Sequence, residues 1–156
     1  MKHIKLDQLD RKILALLQTD ATRSLVEISE QVGLSPSPCW KRIRRLEDEG
    51  VIEKRVALLN RQALQLGVTV IVAIRAGRHN EEWFRQFSEG VIRIPEVIEF
   101  YRMSGDVDYI LKVVARDIED YDRIYRELTK VTELRDISST FAMQELKSTT
   151  VLPLRI

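Results

Sequence analysis

A dense run of positive charge lies between residues 41 and 45. Four of these five residues are cationic: Lys41, Arg42, Arg44 and Arg45. Lysine and arginine side chains neutralise phosphates, and arginine also donates to guanine in the DNA major groove. The simpler alternative is a solvated helix whose arginines pair with the acidic residues at 47–49. The charge run alone leaves both interpretations open, and the surrounding elements must decide between them.

Residues 104–108, Ser-Gly-Asp-Val-Asp, form a second candidate site. Gly105-Asp106 is typical of a hairpin turn, and a turn is the commoner explanation of such a string. Glycine also allows the backbone to approach a ligand closely. The same five residues therefore fit either a plain turn or a ligand-binding loop.

A free amino acid is a ligand that such a loop could bind. Its carboxylate could accept hydrogen bonds from loop N–H groups and from a hydroxyl, that of Ser104 or Thr140. Its ammonium group could form a charge-assisted pair with Asp106 or Asp108. We favour Asp108, because its two neighbours in the sequence would lie on the opposite face of the strand.

The sequence lacks the residue patterns of common catalytic and metal sites. It contains no glycine-rich phosphate loop, no serine elbow and no cysteine besides Cys39. With only His3 and His79 in addition, a zinc site built from cysteine and histidine is not expected. We therefore expect a protein that is not an enzyme and that needs no metal or cofactor.

Three short helices are predicted to present the cationic run. Apolar residues recur at helical spacing over 6–17, 25–32 and 39–46. Gly33 suits the end of the second helix, and the Ser-Pro-Ser-Pro string at 35–38 suits the start of the third. This arrangement predicts a helix-turn-helix, whose last helix enters the DNA major groove.

The apolar stripe of the third helix decides which residues could reach DNA. With Cys39, Ile43 and Leu46 turned inward, Cys39 is a core residue and the cations lie outward. Trp40 fits equally well against DNA or against the second helix. The predicted DNA-binding residues are Ser35, Ser37, Trp40, Lys41, Arg44 and Arg45.

Beyond residue 66 a strand-helix-strand unit occurs twice. The first unit is predicted at 68–76, 81–92 and 97–103, and the second at 108–115, 118–130 and 137–147. The buried helix faces are predicted to be Phe84, Phe87 and Val91 in the first unit, and Ile118, Tyr121, Tyr125 and Leu128 in the second. Two such units predict an α+β fold, a ferredoxin-like βαββαβ domain with a four-stranded antiparallel sheet.

Composition limits how the chain could bind its partners. It has 156 residues, 44% apolar and 31% charged, and a net charge of +1, so DNA binding must come from local clustering. The longest apolar run, Val70–Ile74, is too short to span a membrane, and the first ten residues lack a signal peptide. We expect a cytoplasmic, nucleoid-associated protein without a membrane role.

The domain boundaries follow from the same patterns. We expect a helix-turn-helix domain at 1–52, a linker at 53–66 and a second domain at 67–156. Val51-Ile52 and Val56–Leu59 are predicted to be short extended segments, so the linker should contain a short strand. The strand at 68–76 is apolar on both faces, which predicts that the sheet face away from the helices is covered by a second copy of the chain.

Three strings resemble the leucine-responsive and asparagine-regulator (Lrp/AsnC) family of transcription factors. They are VGLSPSPCWKRIRRLEDEGVI at 32–52, SGDVDYILKV at 104–113 and SSTFAMQELKSTTVLPL at 138–154. The resemblance implies a winged-helix-like helix-turn-helix and an effector domain that binds amino acids at the loop of Ser104, Gly105, Asp106 and Asp108. It also implies homodimers that assemble into octamers, with the effector loop near a contact between dimers.

The resemblance also suggests the partners. Trp40 stands where many relatives carry a smaller aliphatic residue, so their base preference does not transfer. The Pro-Cys-Trp-Lys-Arg string is most similar to a branch with cysteine-responsive regulators, which makes cysteine the first expected effector, and leucine or methionine the next. The expected function is a regulator that binds double-stranded DNA. The alternative is a metabolic regulatory subunit that binds amino acids but not DNA, which would not need the cations at 41–45.

Overall fold

The computed structural model describes residues 4–77 and 80–154. Their packing divides the chain into two compact units: the described residues within Met1–Leu58 and Lys147–Ile156, and those within Leu59–Leu146. This division differs from the expected boundaries at the C-terminal end, because residues 147–154 pack with the N-terminal helices. His3 and His79 lie outside the described residues.

The N-terminal unit contains the three predicted helices. They are α1 (Gln8–Thr19), α2 (Leu25–Val32) and α3 (Pro36–Asp48). A capping box begins each of the first two helices, formed by Asp7 with Asp10 and by Ser24 with Glu27. Gly33 ends α2 in the left-handed conformation, with φ of 72°, which a glycine adopts without strain. These local signals set the lengths of α1 and α2 and the turn between α2 and α3.

One apolar cluster holds the three helices together. Its buried members are Ile13, Leu14, Leu17, Ile28, Val32, Cys39, Ile43 and Leu46. The C-terminal segment also joins this unit: the Gln18 amide donates to the Leu152 carbonyl at 3.0 Å and accepts from the Leu152 N–H at 2.9 Å. Leu154 then packs against the cluster.

The predicted strand between the helices and the sheet is wrong. Residues 49–67 are all described, and none of them lies in a strand. Val51 and Ile52 instead belong to the turn that follows α3, since both of their N–H groups donate to the Leu46 carbonyl, at 2.9 and 3.0 Å. Residues 56–59 are exposed and have no neighbouring strand among the described residues. An extended segment becomes a strand only when another segment pairs with its backbone.

The second unit is the ferredoxin-like arrangement that the repeat predicts. Its elements are β1 (Val68–Ala76), α4 (Glu81–Ile92), β2 (Val97–Arg102), β3 (Tyr109–Ala115), α5 (Ile118–Val131) and β4 (Leu134–Phe141). The sheet order is β2-β3-β1-β4, and every neighbouring pair is antiparallel. The α+β prediction is therefore confirmed.

The core of this unit lies between the sheet and its two helices. Val70, Val72 and Ile74 of β1 are fully buried on the helix side, whereas Ile71 is exposed on the other face. Each helix buries a slightly different stripe from the predicted one. The buried residues are Trp83, Phe87 and Val91 in α4, and Asp120, Tyr121, Ile124 and Leu128 in α5. The predicted core positions Phe84 and Ile118 are exposed.

β4 begins earlier and ends earlier than the predicted strand at 137–147. Its partner β1 sets both limits. A register shift near Arg75 brings Leu134 opposite Ala76, and Phe141 lies opposite Val70, close to the start of β1. Beyond Ala142, whose N–H donates to the Thr69 carbonyl, the strand has run out of β1 residues with which to pair.

Candidate DNA-binding surface and effector loop

The first turn of α3 is open to solvent. Ser35 and Ser37 are both exposed, and the Ser35 side chain makes no capping hydrogen bond. The first N–H groups of a helix have no partner within the helix and favour an anion such as a phosphate. Pro36 and Pro38 carry no N–H, so this turn offers the Ser37 N–H and the two serine hydroxyls. The start of α3 is therefore chemically suited to the DNA backbone.

Trp40 lies on the outer face of α3. Its side chain is 53% exposed, and it does not belong to the apolar cluster of the three helices. Cys39, its neighbour, is fully buried. Trp40 is therefore not part of the core of the three helices.

Lys41 and Arg44 are outward cations. Lys41 is exposed and forms no ion pair within the described part of the chain. The Arg44 side chain is 55% exposed and its Nη1 lies 3.4 Å from a Glu47 oxygen. An exposed pair of this kind contributes only about 0.3–0.5 kcal/mol, so Arg44 can exchange Glu47 for a phosphate at little cost.

Arg42 and Arg45 are held by a buried carboxylate. Asp10 of α1 is fully buried, and it accepts from Arg45 Nη2 at 2.5 Å and from Arg42 Nη1 at 2.8 Å. Arg42 also pairs with Asp7 at 2.6 Å. The hydrogen bond to Asp10 raises the pKa of Arg45, and bonds to Asp7 and then Asp10 raise that of Arg42. Two of the four cations at 41–45 thus link α3 to α1.

The role of Asp10 was missed by the sequence analysis, although its position carries a signal. Asp10 lies three residues before Ile13 and seven before Leu17, so it falls on the buried stripe of α1. A carboxylate on such a stripe requires a cationic partner. The excess of arginine in α3 supplies it.

The loop at 104–108 joins β2 to β3 and is anchored to the end of β1. The Asp108 N–H donates to the Ile74 carbonyl at 3.0 Å, and an Asp108 carboxylate oxygen accepts from the Ala76 N–H at 2.8 Å. Gly105 has φ of 127°, a conformation that favours glycine. Asp108 is half-buried, whereas Ser104, Gly105 and Asp106 are exposed.

Arg75 is a second anchor of this loop that the sequence analysis did not identify. Its Nε donates to the Asp106 carbonyl at 3.0 Å, and its Nη1 donates to Asp136 at 2.8 Å. The guanidinium therefore connects the loop to β4. A charged residue near the end of an apolar strand was the only signal in the sequence.

Thr140 is not close to the loop within one chain. It lies opposite Ile71, whereas the loop contacts β1 at Ile74 and Ala76. At roughly 3.4 Å per residue, the separation along the strand is about 10 Å or more. The structure therefore brings together four of the five predicted effector residues.

A polar cleft of about 700 Å³ opens at the same end of β1. Gly77 lines it, next to the Ala76 that bonds with Asp108. Its charged lining residues are Glu82, Glu133 and Arg135. Within the described ranges, no group of three or more His, Cys, Asp or Glu residues is arranged to hold a metal ion.

Known proteins match both units of the chain. Residues 6–53 match the family described as winged helix-turn-helix DNA-binding, and residues 69–152 match the Lrp/AsnC ligand binding domain. A glutamate uptake regulatory protein from Zymomonas mobilis is 51% identical over 150 residues, which are 96% of this chain and 92% of that protein.

Two solved structures extend the likeness. An AsnC family transcriptional regulator from Agrobacterium tumefaciens has a TM-score of 0.93 and 52% identity, over 95% of this chain and 97% of that one. A transcriptional regulator from Neisseria meningitidis, solved in complex with L-methionine, has a TM-score of 0.92 and 34% identity, over 97% of this chain and 98% of that one. Among the helices of residues 4–77 and 80–154, none is long and apolar enough to cross a membrane.

Proposed function

Since the chain belongs to the Lrp/AsnC family of DNA-binding transcription regulators, we propose that it binds DNA through the outer face of α3 and that a small amino acid modulates its DNA binding or its assembly. The family consists of regulators and not of enzymes. The alternative of a regulatory subunit without DNA binding is disfavoured, because residues 6–53 match a DNA-binding family.

The observation that carries the DNA-binding assignment is the exposure of Trp40, Lys41 and Arg44 on one helix. Phosphate contacts by the cations supply affinity, and side chains near the helix start reach base edges. Ser35 and Ser37 add hydroxyls at the same end, and Arg45 adds a partly exposed guanidinium.

The loop at 104–108 is the proposed effector site. Exposed N–H groups around Gly105 would bind the carboxylate of the amino acid, and the exposed Asp106 would pair with its ammonium group. Asp108 serves the site differently from our first expectation, because its carboxylate accepts from the Ala76 N–H and so fixes the loop. Thr140 can take part only through another copy of the chain.

Cysteine is the first proposed effector, followed by leucine and methionine. The complex of the Neisseria relative with L-methionine supports a small sulfur-containing or aliphatic amino acid. A ligand shifts an equilibrium only if it binds one state better than the other. A homodimer that assembles into an octamer provides such states, if the loop lies near a contact between copies.

Calorimetric titration with the twenty amino acids tests the effector site. We expect one small amino acid to bind below millimolar, Asp106→Ala to lose this binding with unchanged stability, and Asp108→Ala, which removes the acceptor of the Ala76 N–H, to lose both binding and stability. Arg135→Ala, in the polar cleft, is the matched control. Loss of binding in Arg135→Ala alone would move the site from the loop to the cleft.

Mapping of bound genomic DNA, with and without the amino acid that binds, tests the complete proposal. Enrichment of discrete sites whose occupancy changes with the amino acid is expected. Occupancy that does not respond to any amino acid would contradict the effector part of the proposal while leaving DNA binding intact.

A further inference from the structure

We propose that Asp10 positions Arg45 so that Arg45 contacts a DNA phosphate and does not read a base. The inference rests on the proposed placement of α3 against DNA. It divides the cations of α3 into two kinds, those held by a buried carboxylate and those whose side chains are free to reorient.

The Asp10 carboxylate is fully engaged within the protein. Its side chain has no exposed surface. Oδ2 accepts from Arg45 Nη2 at 2.5 Å and from the Asp7 N–H at 3.0 Å, and Oδ1 accepts from Arg42 Nη1 at 2.8 Å. These three donors fix the carboxylate, and the carboxylate in turn fixes the Nη2 end of the Arg45 guanidinium.

Arg45 does not leave this partner easily. A buried carboxylate that loses one of its cationic partners keeps its desolvation penalty without the compensating attraction. The Arg44–Glu47 pair is different, because its two side chains are 55% and 29% exposed and its contact is 3.4 Å. The two adjacent arginines therefore differ in freedom although they have the same chemistry.

The bond to Asp10 limits what Arg45 can recognise. Arginine reads guanine through two N–H groups that reach O6 and N7 together, which requires the guanidinium to align with the base edge. The bond from one Nη2 N–H to Asp10 instead fixes the orientation of the Arg45 guanidinium. The Arg45 side chain is 42% exposed, so its remaining N–H groups can still donate to a phosphate oxygen. Phosphate contacts position a protein on DNA without carrying sequence information.

Binding to an operator and to a random duplex of equal length tests this division. We expect Arg45→Ala to weaken both complexes by the same factor and to reduce the magnitude of the salt slope by about 1 on both. We expect Asp10→Asn to weaken both complexes as well, and Arg45→Ala to have no further effect in the Asp10→Asn background. Asp7→Asn is the matched control: it neutralises a carboxylate of the same cluster that does not touch Arg45, and retains a capping residue.

Side-chain NMR of the free wild type provides a readout that needs no variant to fold. The Nη signals of Arg45 should be resolved by restricted rotation, and those of Arg44 should be averaged. Averaged Arg45 signals, an operator-specific loss in Arg45→Ala, or independent effects of the two substitutions would overturn the inference alone. A wild type that binds neither duplex would overturn the proposed function together with it.

Discussion

The thiol of Cys39 illustrates how the core of the N-terminal unit controls a single residue. Cys39 is fully buried on the inner stripe of α3, and this burial raises its pKa. A raised pKa leaves less thiolate at neutral pH, and the thiolate is the reactive form. The sequence pattern had predicted a core residue, and the structure confirms it.

We predict that Cys39 does not react with a thiol reagent at pH 7 until the protein unfolds. Labelling followed by mass spectrometry, with and without denaturant, measures this directly. Rapid labelling of the folded protein would contradict the buried placement of the thiol.

Asp120 couples the stability of the C-terminal unit to pH. It is buried at the start of α5 and accepts from the Arg116 N–H at 3.1 Å and from Arg123 Nη2 at 3.0 Å. The backbone hydrogen bond, followed by the Arg123 side chain, lowers its pKa. The Asp120 carboxyl therefore binds its proton less tightly in the folded state than in the unfolded chain. Ionised Asp120 stabilises the fold above about pH 4, near the pKa of the unfolded chain.

Asp120→Asn should therefore unfold more easily than the wild type at pH 7, and the difference should vanish as pH falls through the folded pKa. Urea unfolding at pH 7, 5 and 3 measures the effect. Asp122→Asn, which removes an exposed pair with Arg126, is the control and should change stability little. A difference that persists unchanged at pH 3 would refute this role of Asp120.

Individual buried residues were the hardest feature to predict. The spacing of Phe84, Phe87 and Val91 fits a helix face, but Trp83 takes the buried position and donates its indole N–H to the Glu133 carbonyl. A choice between adjacent aromatic residues depends on a partner fifty residues away, which helical periodicity does not contain. The role of Asp10 was missed for the same reason, because its partners Arg42 and Arg45 lie on another helix.

At the scale of elements, strong local signals in the sequence were sufficient to predict where a helix or strand begins and ends. β1 and α4 agree with the predicted bounds, 68–76 and 81–92, because β-branched alternation and the Asn80 cap are local features. β4 does not agree, since its limits are set by the register of β1. The residues at 56–59 have a strand-like composition but no partner to pair with, so composition alone misled the prediction.

The contact between α4 and α5 depends on a glycine. A Cβ at position 90 would lie 2.3 Å from Val131 Cγ1, and the β-branched valine has little rotamer freedom to move away. We predict that Gly90→Ala destabilises the fold by roughly 1–3 kcal/mol, the usual cost of overpacking. Chemical denaturation measures it.

A second substitution distinguishes this clash from a general effect of losing a glycine. Val131→Ala should rescue much of the stability lost in Gly90→Ala. Gly67→Ala, where no atom lies within 4 Å of the added Cβ, should change stability little. Equal effects at the two glycines would argue against the clash.

The C-terminal segment is an element of the DNA-binding unit. The chain passes from the first unit to the second near residue 58 and returns near residue 147. The side-chain amide of Gln18 holds the returning segment, since its NH₂ group donates to the Leu152 carbonyl and its oxygen accepts from the Leu152 N–H. We predict that Gln18→Ala exposes residues 147–154 to proteolysis and to faster amide exchange, while Gln31→Ala, on α2, does not. Unchanged protection of the segment in Gln18→Ala would contradict this attachment.

At the scale of the whole molecule, we propose that a second copy of the chain covers the open face of the sheet. Ile71 and Tyr101 are exposed there, with Ile110 half-buried between them. We predict that the wild type is an oligomer at micromolar concentration and that Ile71→Lys dissociates it, because the variant places an unpaired cation beside Lys112 on this face. Light scattering measures the mass, and Ile92→Lys on the exposed end of α4 is the control. An unchanged mass for Ile71→Lys would move the interface elsewhere.

The central claim is that the outer face of α3 binds DNA, and the salt dependence of binding to a random duplex tests it most directly. The affinity of the wild type should fall steeply with salt, and replacing both Lys41 and Arg44 by alanine should reduce the magnitude of the slope by about 2, about 1 for each lost phosphate contact. Arg126→Ala, at an exposed cation of the second unit, should leave the slope unchanged. If the double variant binds with the affinity and slope of the wild type, α3 is not the DNA-binding surface.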